Sequence, residues 1–257
     1  MNLLANTALR IAQGEPAATP AAPPAPVAKV RACDVLPIAV VIPVLNGAGS
    51  LSVTLRGLSP TAEVIVVDGG SGDGSPASAT RFGASVLVSP AGRGRQLALG
   101  ADGTTAPWLL FLHADTRLDP RAWAAVRAYV AKPENRRRAA VFRLRLDDPA
   151  WQARVLEAGV RLRVAALALP YGDQGLLIHR TLYEAVGGFA PLPLMEDVDL
   201  VRRLGRRRLR LLPGSAVTSA ERWRRRGWLR QSLLNLRCLA LFLMGAPADR
   251  IARLYDR

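Results

Sequence analysis

Cysteine is nearly absent: the 257-residue chain has two, Cys33 and Cys238. Single and far apart, they form neither a disulfide framework nor the CxxC spacing of a zinc or redox site. They read as reduced thiols, which suits a cytoplasmic protein. Long apolar runs are also missing. None reaches the roughly 20 residues a membrane span needs, and Arg237 interrupts the best one, Leu233 to Met244. Met1 to Leu9 lacks the basic and apolar regions of a secretory leader, so none is expected. Acid is scarce: 20 Asp and Glu stand against 35 Lys and Arg, nearly all arginine, for a net charge of +15. That excess suits anionic partners such as nucleotides, nucleic acid or anionic lipid head groups, without choosing among them. A GC-rich genome imposes a similar bias. No internal repeat is visible.

Half of the residues are hydrophobic, which excludes a disordered chain and leaves enough for a substantial core. Gln13 to Ala28 is rich in Ala and Pro and reads as an extended tail, taken as residues 1–34. Beyond it, β-branched or apolar runs at Ile38–Ile42, Glu63–Val67, Ala84–Val88 and Trp108–Leu112 read as strands. Helical stretches separate them at Ser50–Leu58, Ser75–Phe82 and Arg93–Gly103. This alternation predicts βαβ crossovers and a mostly parallel central sheet flanked by helices, an α/β fold. Asp119-Pro120 predicts a capped helix to about Ala131. Strands are expected at Ala139–Leu146, with Arg143 and Arg145 on a wet face, at Leu176–His179 and at Leu209–Leu212. Helices are expected at Trp151–Leu169, Thr181–Val186 and Glu196–Leu204. The apolar residues around much of Trp151–Leu169 predict a buried helix, with the wall of an acceptor site as the alternative.

Four loops follow strands and should emerge at one edge of the sheet: Pro43–Gly49, Asp68–Gly74, Ser89–Arg95 and His113–Thr116. Asp68–Gly74 is glycine-dense and carries two carboxylates. It is either an ordinary tight turn or a nucleotide cradle. It lacks the third glycine of a dinucleotide fingerprint, since position 75 is serine. Gly92-Arg93-Gly94-Arg95 puts two guanidinium groups at a helix N-terminus, which suits an anion or simply a solvated basic cap. Asp115, at the end of a buried strand, can bind a divalent cation that bridges diphosphate oxygens. His113 can be a second ligand, a phosphate donor or a packed imidazole. Glu196-Asp197-Val198-Asp199 opens a helix, where carboxylates either favour the dipole or supply a general base. His179 reads as structural.

Residues 222–257 form a basic helical extension. Arg222-Trp223-Arg224-Arg225-Arg226-Gly227-Trp228 precedes a helix with Leu229, Leu233, Leu236, Leu239, Ala240 and Leu243 at helical spacing. Such a helix can lie on an anionic membrane as a peripheral contact, pack on the main domain, or meet a second copy.

The ordered set Ile42-Pro43-Val44-Leu45-Asn46, Val67-Asp68-Gly69-Gly70-Ser71-Gly72-Asp73-Gly74, Phe111-Leu112-His113-Ala114-Asp115 and Glu196-Asp197 resembles family 2 glycosyltransferases of the GT-A fold. The likeness runs from about Ile38 to Arg224, with residues 35–221 as the catalytic domain. The resemblance implies a nucleotide-sugar bound over the carboxyl ends of the strands. It matches Pro43, Asn46, Asp68, Gly70 and Asp73 to the nucleotide end, and Arg93 and Arg95 to a basic position nearby. It puts His113-Ala114-Asp115 at the family's DxD motif, with Asp115 on Mg²⁺ or Mn²⁺, and Asp197 at the catalytic base beside Glu196. Asp173 and Gln174 fall in the acceptor-side loop, and Arg222-Trp223 resembles a pair that reaches the diphosphate. The implied reaction is inverting transfer of a sugar to an acceptor hydroxyl. Three departures thin the acidic lining: Gly47 replaces a frequent glutamate, Gly69 a second aspartate, and His113 the first aspartate of DxD. The Phe-Leu-His-Ala-Asp-Thr form resembles a bacterial subgroup linked to arsenosugar biosynthesis. A nucleotidyltransferase would need a cation in the loop after the first strand, and Pro43–Gly47 has none. No RRM-, KH- or helix-turn-helix-like pattern accompanies the arginines, so nucleic acid is not the expected partner. A degenerate binding protein without turnover is the alternative.

Overall fold

The computed structural model describes residues 36–59 and 62–255. The expected tail, Cys33 and the start of the catalytic domain lie outside the described residues. Strand β1 (Ile38–Val44), helix α1 (Ala48–Arg56), β2 (Glu63–Asp68), α2 (Ser75–Arg81), β3 (Ser85–Val88), α3 (Arg93–Asp102) and β4 (Trp108–Phe111) follow the expected alternation. The chain continues through β5 (Thr116–Leu118), α4 (Pro120–Val130), β6 (Ala139–Leu146), α5 (Trp151–Leu167), β7 (Leu176–His179), α6 (Arg180–Ala185) and α7 (Glu196–Leu204). It ends with β8 (Leu209–Thr218), α8 (Glu221–Arg226), α9 (Trp228–Leu243) and α10 (Ala248–Tyr255).

One eight-stranded sheet runs β3-β2-β1-β4-β7-β6-β8-β5. Strands β1 to β4 pair in parallel. Strand β7 lies antiparallel to β4 and β6, β8 parallel to β6, and β5 antiparallel to β8. The carboxyl ends of β1–β4, β6 and β8 therefore share one rim with the start of β5 and the start of β7. Every residue of β1 is buried, because both faces of the sheet are covered. The two-residue period divides them: Val40, Ile42 and Val44 join one core with Leu51 and Leu55 of α1 and residues of α4. Ala39 and Val41 join a second core with Leu97 of α3 and Leu200 of α7. Helix α3 approaches the sheet closely. A Cβ at Gly100 would overlap Val41 and stand 2.9 Å from Val67 Cγ2.

Three expectations needed correction. Strand β5 was not foreseen; its three residues pair with Ala216–Thr218 and have little pattern of their own. Strand β8 passes through Pro213-Gly214 and does not end at Leu212. The register with β6 shifts between Val141 and Arg143, which lets two extra residues of β8 bulge out, so the proline breaks no ladder. Helix α5 is not buried: within it only Ala153 and Glu157 are, while Trp151, Val155 and Leu162 face out. Helices α9 and α10 share a core with α7, where Val198 and Val201 meet Cys238, Leu239 and Ile251. Arg143 and Arg145 are exposed as expected. His179 is structural, accepting from Thr181 N–H as a helix cap and packing edge-on against Trp108. Among the described residues no helix is long and apolar enough to cross a membrane.

Candidate active site

The rim carries two connected hollows. A groove of about 660 Å³ runs past Pro43, Asn46 and Gly92 on one bank and Pro193, Ser219 and Arg225 on the other. A smaller cavity of about 80 Å³ lies beside it, with Asp173, Glu196, Asp197, Trp223 and Asn235 in its wall. Arg93, His113, Asp115, Leu194, Arg222 and Tyr255 line both and form the junction between them.

The loops after β1 and β2 are built by the carboxylates of the second. Asp68 is 2% exposed, and its Oδ2 accepts from Gly70 N–H and Ser71 N–H, each at 2.9 Å. Asp73 clamps two loops together, accepting from Ala48 N–H at 2.9 Å and from Ser75 N–H and hydroxyl at 3.0 and 2.5 Å. The Ala48 bond, then the Ser75 hydroxyl, hold its pKa below the ordinary value. Asn46 adopts φ +50 and bridges the same pair of loops, accepting from Gly72 N–H and donating its own N–H to Ser71 Oγ. Pro43 and Asn46 thus line the groove, while Asp68, Gly70 and Asp73 do not; they shape its bank. Gln96 explains one departure from the family pattern. Its amide donates to Val44 O and Val67 O, tying β1 to β2, and a Cβ at position 69 would stand 3.1 Å from that nitrogen. Gly69 gives Gln96 its space.

Arg93 and Arg95, two residues apart and so on different sides of α3, separate. Arg95 is exposed and outside both hollows. Arg93 sits at the junction: burial works against its charge, but Glu196, Tyr255, Asp197 and Asp115 outweigh it and raise its pKa. His113 is held neutral, its pKa well below 6.5, by burial and then by Arg93 and Arg222. It occupies space that only glycine leaves free, since a Cβ on Gly172 would overlap its Nε2. Behind Asp115, a chain of buried hydroxyls fixes the rim. Thr116 donates to Asp115 Oδ1 at 3.3 Å and meets Thr218 Oγ1 at 2.9 Å, and Thr218 also donates to Asp173 O.

Asp197 is oriented by two backbone donors. Gly172 N–H reaches its Oδ2 at 2.6 Å and Val198 N–H its Oδ1 at 2.7 Å. The turn into its helix is strained: Met195 takes φ +67 with its side chain buried. Glu196 is 1% exposed, and neither of its oxygens has a hydrogen-bond partner. Burial first, then Asp197, push its pKa to about 8 against the pull of Arg93. Asp173 rises to about 6, chiefly through burial, with Asp197 and Asp115 adding and Arg163 opposing. Gln174 lies beneath the site, donating to Phe142 O. Trp223 is buried in the cavity wall and Arg222 donates to the Tyr255 hydroxyl at 2.7 Å. Three contributors were not foreseen. Arg163 of α5 stacks 3.4 Å over the Tyr171 ring, while Asn235 and Tyr255 reach the cavity from α9 and α10. A single sequence has no marker for such long-range neighbours.

The pKa of Glu196 has a consequence for stability. Because its folded value lies above the ordinary 4.5, folding favours the protonated form. That contribution is complete below about pH 4 and fades as pH rises through about 8, on the order of a few kcal/mol. Glutamine carries no proton to lose. Denaturant midpoints of the parent and Glu196→Gln should therefore diverge between about pH 5 and about pH 8, with the parent falling. Parallel curves would mean that Glu196 is charged in the folded protein.

A parallel half-sheet with carboxylates and an arginine gathered on its carboxyl rim defines an open α/β protein with its ligand cleft at the strand ends. The model for glycosyl transferase family 2 matches residues 39–166, and the chain belongs to that family as a glycosyltransferase of the GT-A fold. Solved structures with the same fold include glucosyl-3-phosphoglycerate synthase from Mycobacterium tuberculosis in complex with Mn²⁺, UDP-glucose and phosphoglyceric acid. It is 23% identical over 68% of each chain, with a TM-score of 0.51. The complex of that synthase with Mn²⁺, UDP and glucosyl-3-phosphoglycerate aligns over 82% of this chain and 80% of the other, at 21% identity and a TM-score of 0.53. Its complex with Mg²⁺ and UDP aligns over 71% and 69%, at 20% identity and a TM-score of 0.51. No curated protein sequence matches the chain.

Proposed function

We propose that the protein moves a glycosyl group from a nucleoside-diphosphate sugar to an acceptor hydroxyl, with inversion at the anomeric carbon. One observation carries this reading. The groove and the cavity meet at Arg93, His113, Asp115 and Arg222, and Asp197 belongs to the cavity side alone. A diphosphate at the junction would present its sugar to the cavity. An acceptor hydroxyl there would attack the anomeric carbon from the side opposite the diphosphate. The carbon–oxygen bond to the diphosphate breaks and its electron pair leaves on that oxygen. The acceptor proton passes to Asp197. Arg93 and Arg222 offset the growing negative charge in a partly dry site. Neutral His113 adds a hydrogen bond without adding charge. Pro43 and Asn46 border the base and ribose, on a bank that Asp68, Gly70 and Asp73 hold in shape. Asp173 and Trp223 bound the acceptor.

The donor set around Asp115 decides how a metal would fit. Among the described residues no three His, Cys, Asp or Glu side chains gather as a metal cage. An ion at Asp115 would complete its shell with diphosphate oxygens and water, which is how Mg²⁺ is commonly held. Mg²⁺ or Mn²⁺ there supplies charge neutralisation on the diphosphate. Because the solved relatives carry UDP or UDP-glucose with Mn²⁺ or Mg²⁺, a UDP-sugar is the first donor to test.

The test is calorimetry with UDP-, GDP-, TDP- and ADP-sugars, with and without Mn²⁺. One nucleotide class should bind tightly only with metal, and Asp115→Asn should remove most of that metal dependence. Equal binding with and without Mn²⁺ in the parent would reject the role of Asp115. Tight duplex binding with no nucleotide-sugar affinity would reject the transferase reading itself.

A further inference from the structure

Most of the exposed large apolar side chains among the described residues stand on two helices. Helix α5 presents Trp151, Val155 and Leu162, the last 71% exposed, at intervals of four and seven residues. Helix α9 presents Leu229, Leu233 and Leu236 at intervals of four and three, and Leu243 one heptad further on; Leu229 is 74% exposed. Each set is one stripe along its helix. The helices are neighbours: Leu156 and Val160 of α5 and Trp228 of α9 pack on the same small core as Leu146 and Trp223. Each stripe leaves apolar side chains bare in a row, and the two helices, joined through that core, are taken together as the α5–α9 face.

Charge decides what covers it. Helix α9 contains no Asp or Glu, and Arg230 and Arg237 on it are exposed. The only carboxylate of α5 is Glu157, which is buried, accepts from Leu146 N–H and pairs with Arg154. Arg161 stands exposed beside Leu162. The face therefore offers apolar side chains fringed by cations, with no anion of its own. A second copy on this face would bring like charges together. An anionic bilayer would accept the leucines among its acyl chains and the guanidinium groups among its phosphates.

We infer that the α5–α9 face docks the enzyme on an anionic membrane surface. Both helices also border the reaction site, α5 through Arg163 stacked on Tyr171 and α9 through Asn235 in the cavity wall. Docking would thus set the acceptor end of the cavity beside the lipid surface.

Co-sedimentation of the full chain with phosphatidylglycerol-containing and with pure phosphatidylcholine vesicles tests this. Binding should require phosphatidylglycerol and weaken as salt rises. Leu233→Asp with Leu236→Asp, and separately Val155→Asp with Leu162→Asp, should each lower the partition coefficient about tenfold or more. All four side chains are exposed, so melting temperatures should stay near the parent's. Metal-dependent nucleotide binding by the same variants should be unchanged, which separates this proposal from the transferase reading. No pelleting with anionic vesicles, or equal pelleting in parent and both variants, would overturn it. A dimer in solution that the α9 pair dissociates, without any vesicle binding, would assign the face to a second copy and overturn it as well.

Discussion

Asp197→Asn should lower the turnover number by about a thousandfold, within the range general-base catalysis contributes. The physical argument has two parts that the experiment must separate. First, asparagine cannot take the acceptor proton. Second, the carboxylate accepts from two backbone donors on different oxygens, Gly172 N–H on Oδ2 and Val198 N–H on Oδ1. An asparagine has one oxygen to offer, so one of those donors loses its acceptor, at a cost of about 1–3 kcal/mol if it stays buried. A purely chemical role leaves nucleotide-sugar affinity near the parent's and drops turnover. A structural role drops both and lowers the melting temperature. Affinity retained with turnover lost supports Asp197 as the base; turnover at the parent's level rejects it.

The sheet and the rim were largely legible in the sequence, and for a local reason. Strands β1 and β4 are buried on both faces, so their sequences are unbroken apolar runs whose ends mark where loops emerge. One helix cap was equally plain: Asp119 before Pro120 accepts from Ala122 N–H at 2.7 Å, as its position predicts. Where the sequence misled, distant packing had decided the outcome. Strand β8 was read as ending at Leu212 because the bulge that takes up Pro213-Gly214 shows only against its partner β6. Helix α5 looked buried because apolar residues around a helix do not say whether anything covers them. Within the site, residue identity does not say which oxygens of the glycine-loop carboxylates serve the backbone: both of Asp73 and one of Asp68 accept from nearby N–H groups, while Asp68 Oδ1 stays buried without a partner. Arg93 and Arg95 were indistinguishable in the sequence. The turn of α3 aims one into the junction and the other into solvent.

That same turn of α3 sets up the second large effect, at the residue between the two arginines. In an open helix, glycine to alanine stabilises by roughly 1 kcal/mol, because alanine costs less backbone entropy to order. Gly159, in α5, is such a position: a Cβ there meets nothing within 4 Å. Gly94 is the opposite case. Its N–H donates to Leu192 O at 3.1 Å, and an added Cβ would overlap Ala190 O and lie 2.8 Å from both Leu192 N and Leu192 O. These are backbone atoms, so no side chain can rotate away. The segment they belong to leads through Leu194 and the strained Met195 into Glu196 and Asp197. Gly94→Ala must therefore push that segment off α3, and Arg93 and Asp197 separate as it moves. We expect a loss of about 1–3 kcal/mol in folding stability, the usual cost of overpacking. Turnover should fall about a hundredfold, as a displacement near 1 Å commonly costs. Gly159→Ala should leave turnover unchanged and raise the melting temperature slightly. If the two variants melt and turn over alike, close packing at Gly94 does not set the distance between Arg93 and Asp197.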